Sequence, residues 1–91
     1  MSLGDRLMSY EKLTQMQSRI IIGTKQTLRA MRKGEISEVF IADDADHQIT
    51  HQVVSLAEEL NIPCQRVESK KDLGAACGIE VGTSTAAIKQ Q

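Results

Sequence analysis

Four short runs rich in β-branched and aliphatic residues, Ile20 to Ile22, Glu38 to Ala42, Cys64 to Val67 and Thr83 to Ile88, alternate with stretches whose apolar residues recur at helical spacing. Runs this short suit strands and not helices, whereas the intervening stretches are long enough for helical turns. Strands that alternate with helices over short links build a sheet covered by helices. The fold class is therefore α/β, a three-layer α/β/α sandwich.

The punctuation between the runs agrees. Ser9 is placed to cap a first helix bearing Leu13 and Met16, and Ile20, Ile21 and Ile22 read as a strand buried on both faces and ended by Gly23. Thr24 is placed to cap the next helix, which runs to about Lys33 before Gly34 supplies a left-handed stop. Asp43, Asp44, Ala45 and Asp46 make an acidic turn into a third helix, whose apolar side carries Ile49, Val53, Leu56, Ala57 and Leu60. Asn61 and Pro63 stop it. Ser69 and Asp72 form the S-x-x-D pattern of a capping box for a last helix bearing Leu73 and Ala76. Gly78 ends that helix, and Ile79, Glu80, Val81 and Gly82 connect it to the final strand.

With 91 residues the chain supports one hydrophobic core and not two. Residues 8–91 are expected to form a single domain; residues 1–7, which precede a second methionine, read as a leader or an alternative start. Tyr10 and Phe40 are the only aromatic residues, so the core must be aliphatic. The same scarcity excludes a platform on which single-stranded bases stack in succession. No apolar run approaches the roughly 20 residues of a membrane span, and the amino terminus lacks the apolar stretch of a secretory signal, which predicts a cytoplasmic protein. Cys64 and Cys77 form no CxxC pair and read as small buried hydrophobes, neither disulfide partners nor zinc ligands.

Net charge is only −1, but its distribution is uneven. From Lys12 through Gly34 there are six basic residues and no acidic one; from Glu35 through Gln65 there are seven acidic residues and no basic one. Lys25, Arg29, Arg32 and Lys33 fall on one face of the second helix. Such a chain attracts phosphates at one face and repels them elsewhere, which orients a polyanion. A solvated helix face gives the same pattern.

No catalytic constellation stands out, and the chain reads as a non-enzyme without metal or cofactor. His47-Gln48-Ile49-Thr50-His51 resembles H-E-x-x-H, but Gln48 replaces the glutamate that would act as general base, and the two imidazoles lie out of phase with the apolar stripe. The acidic turn is favoured by the dipole of the helix that follows it, without any magnesium. Gly23 alone satisfies neither a phosphate-binding loop nor a dinucleotide fingerprint. It does leave room for a phosphate to approach the free N–H groups of the following helix, with Lys25 and Arg29 on the next turn, or it serves a tight turn and nothing more.

Gly23-Thr24-Lys25-Gln26-Thr27 with Arg29-Ala30, then Val67-Glu68-Ser69-Lys70-Lys71-Asp72-Leu73-Gly74, then Ala76-Cys77-Gly78-Ile79-Glu80-Val81, are collinear segments that resemble the kink-turn-binding ribosomal-protein family of the L-seven-Ae type, in its bacterial form. The resemblance runs from about Met8 to Ile88. It implies a four-stranded mixed sheet between helices and a monomer that binds kink-turn RNA, a helix bent by a three-nucleotide bulge followed by tandem sheared G·A pairs. It also implies the site. Gly23 and Thr24 would lie along the RNA backbone, Lys25 and Gln26 would meet the G·A edges, and Arg29 a guanine or a phosphate. Ile79, Glu80 and Val81 would form the loop that covers the extruded nucleotide. Apart from the resemblance, Arg32 shares the basic helix face, and Lys70 with Lys71 either reaches phosphates or is an ordinary surface lysine. Lys25 and Gln26 stand where the family pattern G-T-N-E has Asn and Glu; Lys donates to guanine, and Gln donates and accepts. Ribosomal RNA and a riboswitch are both open as targets. A protein-interaction module on the ribosome and an accessory domain of an RNA-modification system are the alternatives.

Overall fold

The computed structural model describes residues 10–90. Residues 10–15 are helical (α1), followed by a 3-10 turn at Gln17–Arg19 and then β1 (Ile20–Ile22), α2 (Thr24–Arg32), β2 (Ile36–Ala42), α3 (His47–Leu60), β3 (Cys64–Val67), α4 (Lys70–Ala76) and β4 (Thr85–Lys89). The expected cap at Ser9 and the expected leader at residues 1–7 lie outside the described residues.

The sheet order is β1-β4-β2-β3, with β4 antiparallel to both its neighbours and β3 parallel to β2. It is a four-stranded mixed sheet between two helical layers. Because strand side chains alternate, β2 sends Phe40 and Ala42 to one face, where they pack with Leu13 of α1 and Leu73 and Ala76 of α4. Val39 and Ile41 go to the other face and meet Leu28 and Met31 of α2 and Val53 and Ala57 of α3. Phe40, the one large ring of the core, is fully buried.

Local stop signals act as expected. Gly34, Asn61 and Gly78 all take positive φ, at 74°, 58° and 86°. Each supports the paired backbone bonds that close a helix at a left-handed residue, such as Glu35 N–H to Ala30 O and Ile79 N–H to Gly74 O. Ser69 caps α4 by accepting from the Asp72 N–H at 3.0 Å.

Several expectations change. Ile20 to Ile22 form an edge strand and not a doubly buried one: each isoleucine touches a core layer but stays half-buried, because β1 has a neighbour on one side only. The second strand begins at Ile36, and the last begins at Thr85, because Thr83 turns its N–H to Lys70 O instead of to a strand. Thr24 is the first helical residue and not the cap; the cap position belongs to Gly23, at φ 106° and ψ 145°.

Candidate functional site

The register places the carboxyl ends of β1, β2 and β3 and the start of β4 at one end of the sheet, since Ile22 lies beside Ala86, Ile41 beside Thr85 and Ala42 beside Val67. The turn from β1 into α2 and the connection from α4 into β4 therefore meet there. Thr85 joins them. Its carbonyl accepts from the Gly23 N–H at 3.0 Å and from the Thr83 hydroxyl at 2.9 Å, while its own hydroxyl bonds that of Thr24 at 3.0 Å. Thr85 is fully buried, so these bonds are shielded from water and hold two surface segments in a fixed relation.

On the first segment, Gly23 lies in a backbone region that L side chains rarely adopt, and a Cβ there would stand 2.7 Å from Gln26 Oε1. The Gln26 side chain thus lies over the glycine. No side chain caps α2, and its first turn holds no acidic residue, whereas Asp46 caps α3 and Ser69 caps α4. The N-terminal N–H groups of α2 and the positive end of its dipole face outward uncompensated by a carboxylate.

Lys25, Gln26, Arg29 and Arg32 are all exposed on α2. Of the six basic residues between Lys12 and Gly34, two serve the fold: Lys12 pairs with the buried Glu38, and Arg19 donates to Lys89 O at 2.8 Å. Lys25, Arg29, Arg32 and Lys33 have no side-chain bond or ion pair with any of the described residues. Arg29 stands one to two turns above the Gly23 turn. Arg32 lies eight residues beyond Thr24, about 12 Å along the axis, and is not gathered into the turn.

The second segment is a strap laid over α4. Ile79 N–H bonds Gly74 O, and Thr83 N–H bonds Lys70 O. A Cβ on Gly74 would lie 2.1 Å from the Val81 carbonyl oxygen, and one on Gly82 would lie 3.0 Å from the Lys70 carbonyl carbon. Two glycines therefore let backbone rest on backbone, with the Val81 side chain held outward at 70% exposure. Glu80 is exposed beside it and Ile79 half-buried. Gln17 braces the base of the strap, donating to Ala76 O at 3.2 Å and packing against Gly78. Lys70, the first residue of α4, is exposed, and its N–H bonds Asp44 Oδ1 at 2.8 Å.

Sequence reasoning missed Thr83, Thr85, Gly74, Gly82, Gln17 and Asp44 as supports of this site. A glycine inside a helical pattern costs helix stability and so points to a packing reason, and Gly74 carried that sign. The others gave no local one. Cys64 and Cys77 are free thiols, half-buried and buried, and burial pushes that of Cys77 up to about 11. Burial also raises the thiol of Cys64, against the pull of Arg66. No helix among the described residues is long and apolar enough to cross a membrane.

A sequence profile of the "Ribosomal protein L7Ae/L30e/S12e/Gadd45 family" matches residues 5–91. The RNA-binding protein YbxF of Geobacillus stearothermophilus is 51% identical over 81 residues, 89% of this chain and 98% of that one. An RNA-binding protein of Geobacillus thermodenitrificans is 49% identical over the same shares. Among solved structures, the 15.5kD RNA binding protein of Giardia lamblia superposes with a TM-score of 0.88 at 28% identity, covering 93% of this chain and 73% of that one.

Proposed function

The chain belongs to the ribosomal protein L7Ae/L30e/S12e/Gadd45 family, and on that premise we propose that it binds RNA bent into a kink-turn and stabilises the bent form. The observation that carries the reading is the junction at Thr85, which sets an uncapped helix N-terminus beside an exposed apolar strap. The two halves suit two different parts of one bent RNA. Free N–H groups with Lys25 and Arg29 above them take phosphates and base edges. Val81, held in water by the backbone behind it, gains from covering the face of an unstacked nucleotide.

In this reading Gly23 and Thr24 follow the RNA backbone, Lys25 and Gln26 meet the tandem G·A pairs, Arg29, Arg32 and Lys70 neutralise phosphates, and Ile79, Glu80 and Val81 seat the bulge. The protein acts as a cytoplasmic monomer that selects one RNA shape from an ensemble, with no covalent step. Regular A-form RNA offers side chains no deep groove to read, so an opened bend is the feature that such a surface recognises. Its target is structured RNA, such as ribosomal RNA or a riboswitch.

Calorimetric titration at fixed salt, without magnesium, tests this with a kink-turn RNA and a control whose tandem G·A pairs are replaced by Watson–Crick pairs. Tight binding to the first and weak binding to the second is expected. Equal affinity for both would overturn the kink-turn reading.

A further inference from the structure

The histidine pair has no part in the site at Thr85. His47 and His51 stand one turn apart on α3, both exposed, and with Thr50, Val54 and Arg66 they line an open cleft of about 150 Å³. That is roughly five times the share of one water in the liquid. Arg66 enters from the free edge of the sheet: it lies beside Ile41, whose side chain packs with those of α2 and α3, so the guanidinium is on the α3 side. It is held by a single 3.5 Å contact to Asp43, and both side chains remain well exposed. Most of its five N–H donors are available to another acceptor.

Asp43 faces Arg66, Asp44 accepts from the Lys70 N–H and Asp46 accepts from the Gln48 N–H at 2.8 Å, so each carboxylate already has a donor. Glu58, further along α3, lies near Cys64 on the same edge. A metal ion is a poor occupant, because Arg66 is in the cleft and the described residues supply no group of three His, Cys, Asp or Glu ligands.

We propose that this cleft holds a backbone phosphate of the bound RNA, with Arg66 as its cation and His47 and His51 as ring N–H donors beside it. The proposal rests on the RNA reading above and extends the interface to the opposite edge of the same sheet end. Val67 and Gly23 mark that end on β3 and β1, three strand spacings apart, or about 14 Å. Phosphates are closely spaced along a duplex, about one per 1.7 Å of axis in DNA, so an RNA arm crossing the strand ends would carry phosphates near Arg66. Each imidazole carries a ring N–H that a phosphate oxygen can accept, so the three side chains together offer donors from two sides of the cleft.

The test titrates a kink-turn RNA and an unkinked duplex of equal length over a range of salt concentrations at fixed pH, against the protein, Arg66→Gln and the double variant His47→Ala/His51→Ala. All three positions are exposed on the surface, and circular dichroism checks that each variant is folded. The double variant should bind the kink-turn RNA about two- to tenfold more weakly than the wild type, the range of a net hydrogen bond. Arg66→Gln should reduce the slope of log affinity against log salt by roughly one. Identical affinity and salt slope in all three proteins overturns the phosphate cleft and leaves the kink-turn reading standing. If the wild type does not distinguish the two RNAs, the kink-turn reading falls instead. The cleft is then decided by the same affinity and salt comparison on the duplex.

Discussion

Replacing Gly74 by alanine sets two effects of known sign against each other. In an isolated helix the change stabilises by about 1 kcal/mol, because glycine has more backbone freedom to lose. Here the new methyl carbon would fall 2.1 Å from the Val81 carbonyl oxygen and 3.0 Å from its carbon. Ordinary contact requires the strap to retreat by roughly 1 Å or more. The obstacle is backbone, tied on either side by the Ile79 N–H to Gly74 O and Thr83 N–H to Lys70 O bonds, and it cannot rotate away as a side-chain tip can. Overpacking of this kind costs typically 1–3 kcal/mol. The cost exceeds the helical gain, leaving a net loss of about 1 kcal/mol. In a domain of this size that lowers the melting temperature by about 4–8 °C. Thermal unfolding followed by circular dichroism measures the loss, and amide resonances of Val81 and Thr83 report whether the strap has moved. A higher melting temperature with unshifted resonances would refute the close approach of α4 and the strap.

Other outcomes follow from single contacts. The Thr27 hydroxyl is fully buried without a partner among the described residues, so Thr27→Val should stabilise by about 1 kcal/mol in denaturant unfolding; a loss of stability would reveal a hidden partner. Asp44→Ala removes the acceptor of the Lys70 N–H and should cost about 1 kcal/mol, with Asp44→Asn retaining most of it. Because burial raises the Cys77 thiol to about 11, its reactive thiolate is scarce at pH 8 and grows only as pH climbs toward that value. Alkylation followed by mass spectrometry should therefore be much slower in the folded chain than in denaturant, and equal rates would contradict the burial.

What the sequence by itself determined was whatever depends on neighbours in the chain. The runs Ile20–Ile22 and Cys64–Val67 are strands with the expected bounds, and Gly34, Asn61 and Gly78 stop helices because left-handed backbone is a local preference of those residue types. The amphipathic spacing of α3 specified its buried side only in part: Val53 and Ala57 are buried, but Ile49 and Leu60 are exposed and Thr50 is buried instead. The segments of the candidate site were legible as well, through their resemblance to a family. Their assembly was not. Only the tertiary structure put β1 at an edge, drew Thr24 away from capping to a partner 61 residues later, and set Val81 out into water on the flat backs of Gly74 and Gly82. It also separated Lys12 and Arg19, which serve the fold, from the free cations of α2, and gave each aspartate of the acidic turn its own donor. Periodicity and capping act over a few residues, whereas these pairings join segments that share no local pattern; the strand order decides them, because it determines which chain ends lie side by side.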